Sequence, residues 1–372
     1  MHTIEPERLR NALVGQMGLR AVVHPPGEAG LRALLQARRC IQLDPLDRIG
    51  TNADLVALAR LDGVRKGQVY AALLPGHGFE HWAKERCIVR PEAWPHYRGR
   101  ARMDPCWRLT ERLKRVPPEV LDGVLQELLT RGPSLPEELN DHGSVEPLDW
   151  SGWKGTSRMA TMALEVLWTR CEVAVHSRVG KRKRYSCPSL ALPDHHQLPV
   201  AEGERDWELM ERVEACGLLS ERAGPWWSSL SDLRGGELVE RLVRSGTLQR
   251  VALPGRRGSW LARADLLERS FPEDDGRMRI LGPLDPLIWD RRLVQELFGF
   301  EYVWEVYKPA AKRRWGYYVC PLLHHGELVG RVEGRLIEGR LQVLQVWREH
   351  PAFDELAYEE ALHRHERALQ PG

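Results

Sequence analysis

The sequence predicts an α+β protein: tandem winged-helix modules, each a helix-turn-helix followed by a basic wing, with a β-rich C-terminal region. Three observations predict it. Short amphipathic helices joined by short turns fill most of the chain; Arg-rich hairpin tips follow helical groups at 178–184 and 254–258; and from Arg277 onward strand-like runs replace helical spacing. The 372 residues divide on this pattern into 1–116, a helical module, 117–190 and 191–276, two winged-helix modules, and 277–372, the β-rich region with a closing helix.

In chain order, Leu9, Leu13, Val14 and Met17 give a helix over Glu5–Met17, and Leu31, Leu34 and Leu35 a second after the Pro25-Pro26-Gly27 break. Asn52 offers a cap for a helix through Leu61, and another helix runs from Lys66 to Leu74. Cys87–Arg90 reads as a strand, and Pro91 opens a helix through Arg102 that carries Arg98, Arg100 and Arg102. Glu119–Arg131, a short helix at Pro136 and Thr156–Arg170 lead into the hairpin of Val173, Val175 and Val179, with Trp150 and Trp153 packing at the approach. Pro188–Glu204 is a polar connector before a second helical group at 205–244, closed by Leu248–Leu253 and Trp260-Leu261. Strands are expected at Glu301–Tyr307, Gly316–Pro321, Glu327–Glu333 and Arg340–Trp347, and a helix at Pro351–Leu369.

Charge singles out where a polyanion would bind. The net charge is only +2, so distribution carries the signal. The first hairpin bears Arg178, Lys181, Arg182, Lys183 and Arg184 with no acid among them, and the second bears Arg256 and Arg257. Lys308, Lys312, Arg313 and Arg314 surround a third tip beside Trp315. Cations on wing tips neutralise backbone phosphates and release counterions, so double-stranded DNA is the expected partner. The seven scattered cysteines, none two residues from another, point to a reducing cytosol and against zinc or a disulfide framework. His77 and His81 lack an apparent third ligand and read as structural or surface residues. No apolar run suits a membrane span, and the chain reads as a cytoplasmic monomer with no cofactor and no metal.

The stretch Cys40-Ile41-Gln42-Leu43-Asp44-Pro45 carries the chemistry. Pro45 pushes Asp44 towards extended backbone, so the helix before it has ended. In extended chain, residues two apart face the same way, which sets Gln42 and Asp44 over one small volume. An amide there can orient water, and a carboxylate can take its proton or face a developing positive charge. The same residues also read as a helix end and a polar turn, with Asp44 and Asp47 solvated or capping.

Asp285-Pro286-Leu287-Ile288-Trp289-Asp290-Arg291 and Glu305-Val306-Tyr307-Lys308-Pro309, followed by Lys312-Arg313 and Gly316-Tyr317-Tyr318, resemble the C-terminal signature of the AlkZ/YcaQ family of winged-helix DNA glycosylases. The resemblance covers nearly the whole chain. It implies that Gln42-Leu43-Asp44 is the catalytic triplet, in the Gln-apolar-Asp form of the YcaQ-like branch. It further implies hydrolysis of the N-glycosidic bond of N7-alkylated guanine, including unhooking of DNA interstrand crosslinks, in base excision repair. Phe79-Glu80-His81-Trp82-Ala83 is similar to a family stretch that ends in His where this chain has Lys84. With no lysine beside the triplet in sequence, base release without strand cleavage is expected. A winged-helix transcription regulator is the alternative, set against the absence of an evident ligand or dimerisation domain.

Overall fold

The computed structural model describes residues 2–103, 107–148, 155–201 and 205–370. It is a mixed α+β chain that divides into two compact units: one of Met1–Val69, Trp82–Cys87 and Arg205–Gly372, the other of Tyr70–His81 and Ile88–Glu204.

The first unit holds two sheets. In one, Leu248–Ala252 and Trp260–Arg263 form an antiparallel hairpin, Leu219–Ser220 extends it on the Trp260 side, and His2–Thr3 adds a parallel edge on the other. Pro6–Gln16 and Arg291–Phe298 cover a core that includes Leu9, Leu13, Trp260, Ile288 and Val294. The second sheet is an antiparallel meander of Arg279–Ile280, Val319–His324, Glu327–Ile337 and Arg340–Arg348. Tyr318, Cys320, Leu322, Val329 and Val332 form its core with Ile49, Leu55 and Tyr358 of the closing helix, Glu355–Leu369.

Helix ends follow local chemistry. Thr51 and Asp54 make a reciprocal capping box before Asn52–Leu58, so Asn52 is the first helical residue and not the cap. Asp290 caps Arg291–Phe298 by accepting from the Arg292 and Leu293 N–H groups, and Gly299 ends that helix at φ +64°, where a Cβ would be strained.

The second unit contains helices Trp94–Met103, Pro118–Arg131 and Met159–Thr169 and the hairpin Ala174–Val179 with Arg182–Ser186. Ser134 joins the hairpin through paired main-chain bonds with Tyr185. Trp168 is buried and donates to the Glu80 carbonyl at 2.8 Å, while Phe79 lies edge-on to Trp94 and Tyr97. His81 is a buried strand residue whose Nε2 meets the Trp168 carbonyl at 3.2 Å.

Several elements differ from expectation. The connector after Cys187 opens with a short helix, Pro188–Ala191. The segment 226–233 forms only a 3-10 turn, Pro225–Trp227. Glu301–Tyr307 is not a strand, because Glu305 folds the chain around its own carboxylate; the third basic tip is an irregular loop with a 3-10 turn at Ala310–Lys312. Trp150 and Trp153 lie outside the described residues.

Candidate active site

The helix Gly27–Arg38 stops at Arg39, which takes φ +67°, and the chain turns into the three-residue strand Cys40–Gln42. Leu43 N–H donates to the Arg86 carbonyl at 2.8 Å, so the extended course expected from Pro45 is held by a neighbouring segment of the same unit. Asp44 is half-buried, and its Oδ1 accepts from Leu46 N–H at 2.8 Å, the closed Asx turn that a carboxylate before proline readily makes. This partner fixes the direction of the carboxylate.

Gln42 is 5% exposed and is held at both ends. Its main-chain carbonyl accepts from Asn52 Nδ2 at 2.8 Å, and its side-chain Oε1 accepts from Lys84 Nζ at 3.1 Å. An ammonium or amine donor facing the amide assigns the oxygen to that side, so the Nε2 donor faces the other way. Asn52, fully buried, also accepts from Leu284 N–H at 3.1 Å. Gly282 is glycine because a Cβ there would come 2.6 Å from Asn52 Oδ1.

The Asp285–Arg291 stretch supplies the frame around this point. Asp285 is buried in a two-bond ion pair with Arg60, at 2.7 and 2.9 Å, and caps Leu287 N–H. Trp289 Nε1 donates to the Leu284 carbonyl at 2.8 Å, and Lys84 Nζ stands 5.2 Å from the centre of the Trp289 ring. Burial lowers the Lys84 pKa from its ordinary value, against the opposing influence of Cys87 and Glu85. Among the described residues Lys84 makes no ion pair. Sequence reading found no lysine beside the triplet because Lys84 is 42 residues away in the chain; the fold brings it there.

Asp44 lies within electrostatic reach of Tyr318, the residue before the strand Val319–His324. Burial first, then Cys320 and the Asp44 carboxylate, push the Tyr318 phenol well above its usual range. A cavity of about 410 Å³ in the same unit is lined by Asp62, Arg277, Arg364 and His365, among others, and by none of Gln42, Asp44 or Lys84. Arg277 is paired with Asp62 there, and His365 bonds the Ile49 carbonyl. No group of three His, Cys, Asp or Glu among the described residues is arranged to hold a metal ion.

The family model described as DNA glycosylase AlkZ-like matches residues 35–368, a span that contains Gln42, Asp44, Lys84 and the 285–291 frame. The chain belongs to the AlkZ-like DNA glycosylase family. It is therefore an enzyme of DNA repair with DNA as its substrate, and the regulator alternative falls away. The structure of Streptomyces sahachiroi DNA glycosylase AlkZ is similar in fold, with a TM-score of 0.58 at 17% identity over 99% of this chain and 97% of that one.

In this AlkZ-like chain the expected DNA-binding cations fall into two groups. In the first hairpin Arg178 is bound through two bonds to Glu80 and is 14% exposed, and Lys183 is paired with Glu165 at 3.0 Å and is 12% exposed. Arg182 and Arg184 reach Glu137 and Glu138 on more exposed positions, and Lys181 is exposed at the tip. The hairpin has no acid of its own, but the fold provides four. Arg256 and Arg257 are exposed on the turn between Leu248–Ala252 and Trp260–Arg263. In the third loop Lys308 is paired with Glu305 and Arg314 with Glu301, Arg313 Nε donates to the Lys308 carbonyl, and Lys312 is exposed. Trp315 is stacked 3.8 Å from the Arg331 guanidinium and is half-buried.

Proposed function

We propose that this glycosylase hydrolyses the N-glycosidic bond of N7-alkylated guanine, including guanine in interstrand crosslinks, with Gln42 and Asp44 as the catalytic pair. The observation that carries this reading is the fixing of Gln42 at both its carbonyl and its amide oxygen, two residues before an oriented carboxylate. Alkylation at N7 leaves the base cationic, so its bond to the sugar is weakened and the leaving group needs little protonation. Positive charge then builds on the sugar, as in glycoside hydrolysis. The Asp44 carboxylate stabilises that charge and takes a proton from the attacking water, and Gln42 Nε2 donates a hydrogen bond that orients the water.

A crosslinked guanine is tethered to the opposite strand and cannot rotate out of the helix as a flipped base does. The site must come to the stacked nucleotide, and winged-helix modules suit that task. Residues 117–190 and 191–276 are our two such modules. In the second, Asp206–Cys216, Leu219–Ser220, Glu237–Arg244 and the 248–263 hairpin follow the helix, strand, helix, wing order of that fold. The test is incubation with a duplex carrying N7-methylguanine or a nitrogen-mustard crosslink. Abasic sites are expected from the first and unhooked strands from the second, and an enzyme that acts only on other lesions would overturn the reading.

A further inference from the structure

We propose that Tyr307 is a wedge that enters the base stack beside the damaged nucleotide, so that the enzyme reaches the sugar of a guanine still held in the duplex. The inference deepens the proposed function and rests on its assignment of the damaged sugar to Gln42 and Asp44. Tyr307 is 83% exposed, the most exposed large apolar or aromatic side chain among the described residues. Exposure alone is ordinary for a single ring; what sets this one apart is how it is held. Glu305 and Val306 before it are buried, and Lys308 N–H closes a turn around it by donating to the Glu305 carbonyl at 2.9 Å. The Glu305 carboxylate accepts from Lys308 Nζ at 2.7 Å, from Arg314 N–H at 3.1 Å and from Trp315 N–H at 2.7 Å, which ties the two ends of the loop together. Trp304, half-buried, meets the Tyr307 ring edge-on at 5.7 Å between centres. A protruding ring on a loop braced in this way loses little freedom when it is inserted into a partner.

The same loop lies beside the segment that carries Asp44. The guanidinium of Arg48, four residues after Asp44, stands 4.7 Å from the centre of the Tyr317 ring, and that of Arg313 stands 4.9 Å from the same centre. Lys312 and Arg314 are exposed on the loop, and the Arg314–Glu301 pair, with side chains 64% and 60% exposed, is a surface interaction that a phosphate can replace. An exposed ring among such cations matches the chemistry of a duplex, which offers phosphates outside and stacked π faces inside. Insertion of an apolar side chain between base steps unstacks them and kinks the DNA. A tethered guanine that cannot flip is then reached by opening the step next to it, and the Tyr307 ring replaces the base–base stack that is lost.

The experiment uses the full chain and two duplexes that need no base release, one undamaged and one with a tetrahydrofuran abasic analogue, each with a fluorophore pair at its ends. The unsubstituted enzyme is expected to prefer the abasic-analogue duplex and to shorten its end-to-end distance, because a gap in the stack is where a wedge enters most readily. Tyr307→Ala should lose about 5- to 100-fold in affinity for that duplex, the equivalent of one ring–base stack, and should lose the bend with it. Its melting temperature and the slope of log affinity against log salt should not change, since no phosphate contact is removed. Tyr307→Phe should keep both preference and bend, because stacking needs the ring and not the hydroxyl. Preference and bend retained by Tyr307→Ala, or lost by Tyr307→Phe, would overturn the proposal, as would a loss in Tyr307→Ala that comes with a reduced salt slope. If N7-methylguanine DNA yields no free base while the Tyr307-dependent preference and bend are seen, the lesion assignment is wrong and the wedge stands. Base release by an unsubstituted enzyme that shows neither preference nor bend removes the wedge and leaves the proposed function.

Discussion

Asn52 Nδ2 donates to the main-chain carbonyl of Gln42 at 2.8 Å, and the same side chain accepts from Leu284 N–H at 3.1 Å. One buried amide thus ties the proposed catalytic residue to the loop that carries Asp285 and Trp289. Asn52→Ala should leave that carbonyl and the Leu284 N–H unpaired, at a cost of about 1–3 kcal/mol for each buried polar group so stranded. Urea unfolding together with single-turnover base release should show loss of stability and of rate. A variant with unchanged rate would mean that Gln42 keeps its place without this tie.

Asp44→Asn should abolish release of N7-alkylguanine with DNA affinity nearly unchanged. The substitution keeps size and the bond from Leu46 N–H, and removes both the charge and the base. Loss of a positioned acid-base group costs about 10²–10⁴ in rate. Single-turnover rates decide it, and a wild-type rate would remove Asp44 from the mechanism. Gln42→Ala should cost less, because an amide orients water without taking its proton.

The end of the second helix and the short strand that delivers Gln42 were legible because both signals are local, and most helices were legible because apolar spacing is local too. What escaped reading depends on residues far apart in the chain. Lys84 and Asn52 converge on Gln42 from 42 and 10 positions away. The acids that neutralise the first hairpin come from Glu80, Glu137, Glu138 and Glu165, so a run of cations looked bare that is largely paired. Glu301–Tyr307 has the aromatic and β-branched composition of a strand, but Glu305 collects the N–H groups of Arg314, Trp315 and Gly316 and closes a loop instead.

The Arg60–Asp285 pair, 1% and 0% exposed, should be a stability determinant of the 285–291 frame. Removing one member of a buried pair leaves an uncompensated charge and costs about 3–5 kcal/mol. Arg60→Met and Asp285→Leu should each destabilise by that order, and the double substitution by less than their sum. Additive effects in denaturant unfolding would show that the two charges do not depend on each other.

Glu305 gives the third loop a pH limit. Burial raises its pKa, and this is outweighed by hydrogen bonds from Lys308 Nζ and from the N–H groups of Trp315, Arg314 and Gly316, which bring it from 4.5 down to about 2. A depressed carboxylate stabilises the fold fully above its unfolded value and loses that contribution as pH falls through the folded one. The stability difference between wild type and Glu305→Gln should therefore be constant above pH 4.5 and shrink between 4.5 and about 2. A difference that does not change across this window would mean that the carboxylate's charge contributes nothing to the loop.

The pairing pattern of the first hairpin separates phosphate-binding from structural cations. Lys181 and Arg182 are exposed, and the Arg182–Glu137 pair, with side chains 58% and 43% exposed, is a weak surface interaction that a phosphate can replace. Arg178 and Lys183 are largely buried and held by Glu80 and Glu165. Substituting Lys181 and Arg182 with Ala should therefore weaken binding to any duplex at unchanged melting temperature. The slope of log affinity against log salt should fall by about 0.9 for each phosphate that the wing no longer neutralises. Arg178→Ala should instead lower the melting temperature, because it leaves the Glu80 carboxylate buried without its partner, and should change the salt slope little. Titration across a salt series with each protein reads both effects. If Arg178→Ala reduces the slope while the melting temperature holds, the ion pair with Glu80 opens on DNA and the wing uses its inner cations as well as its tip.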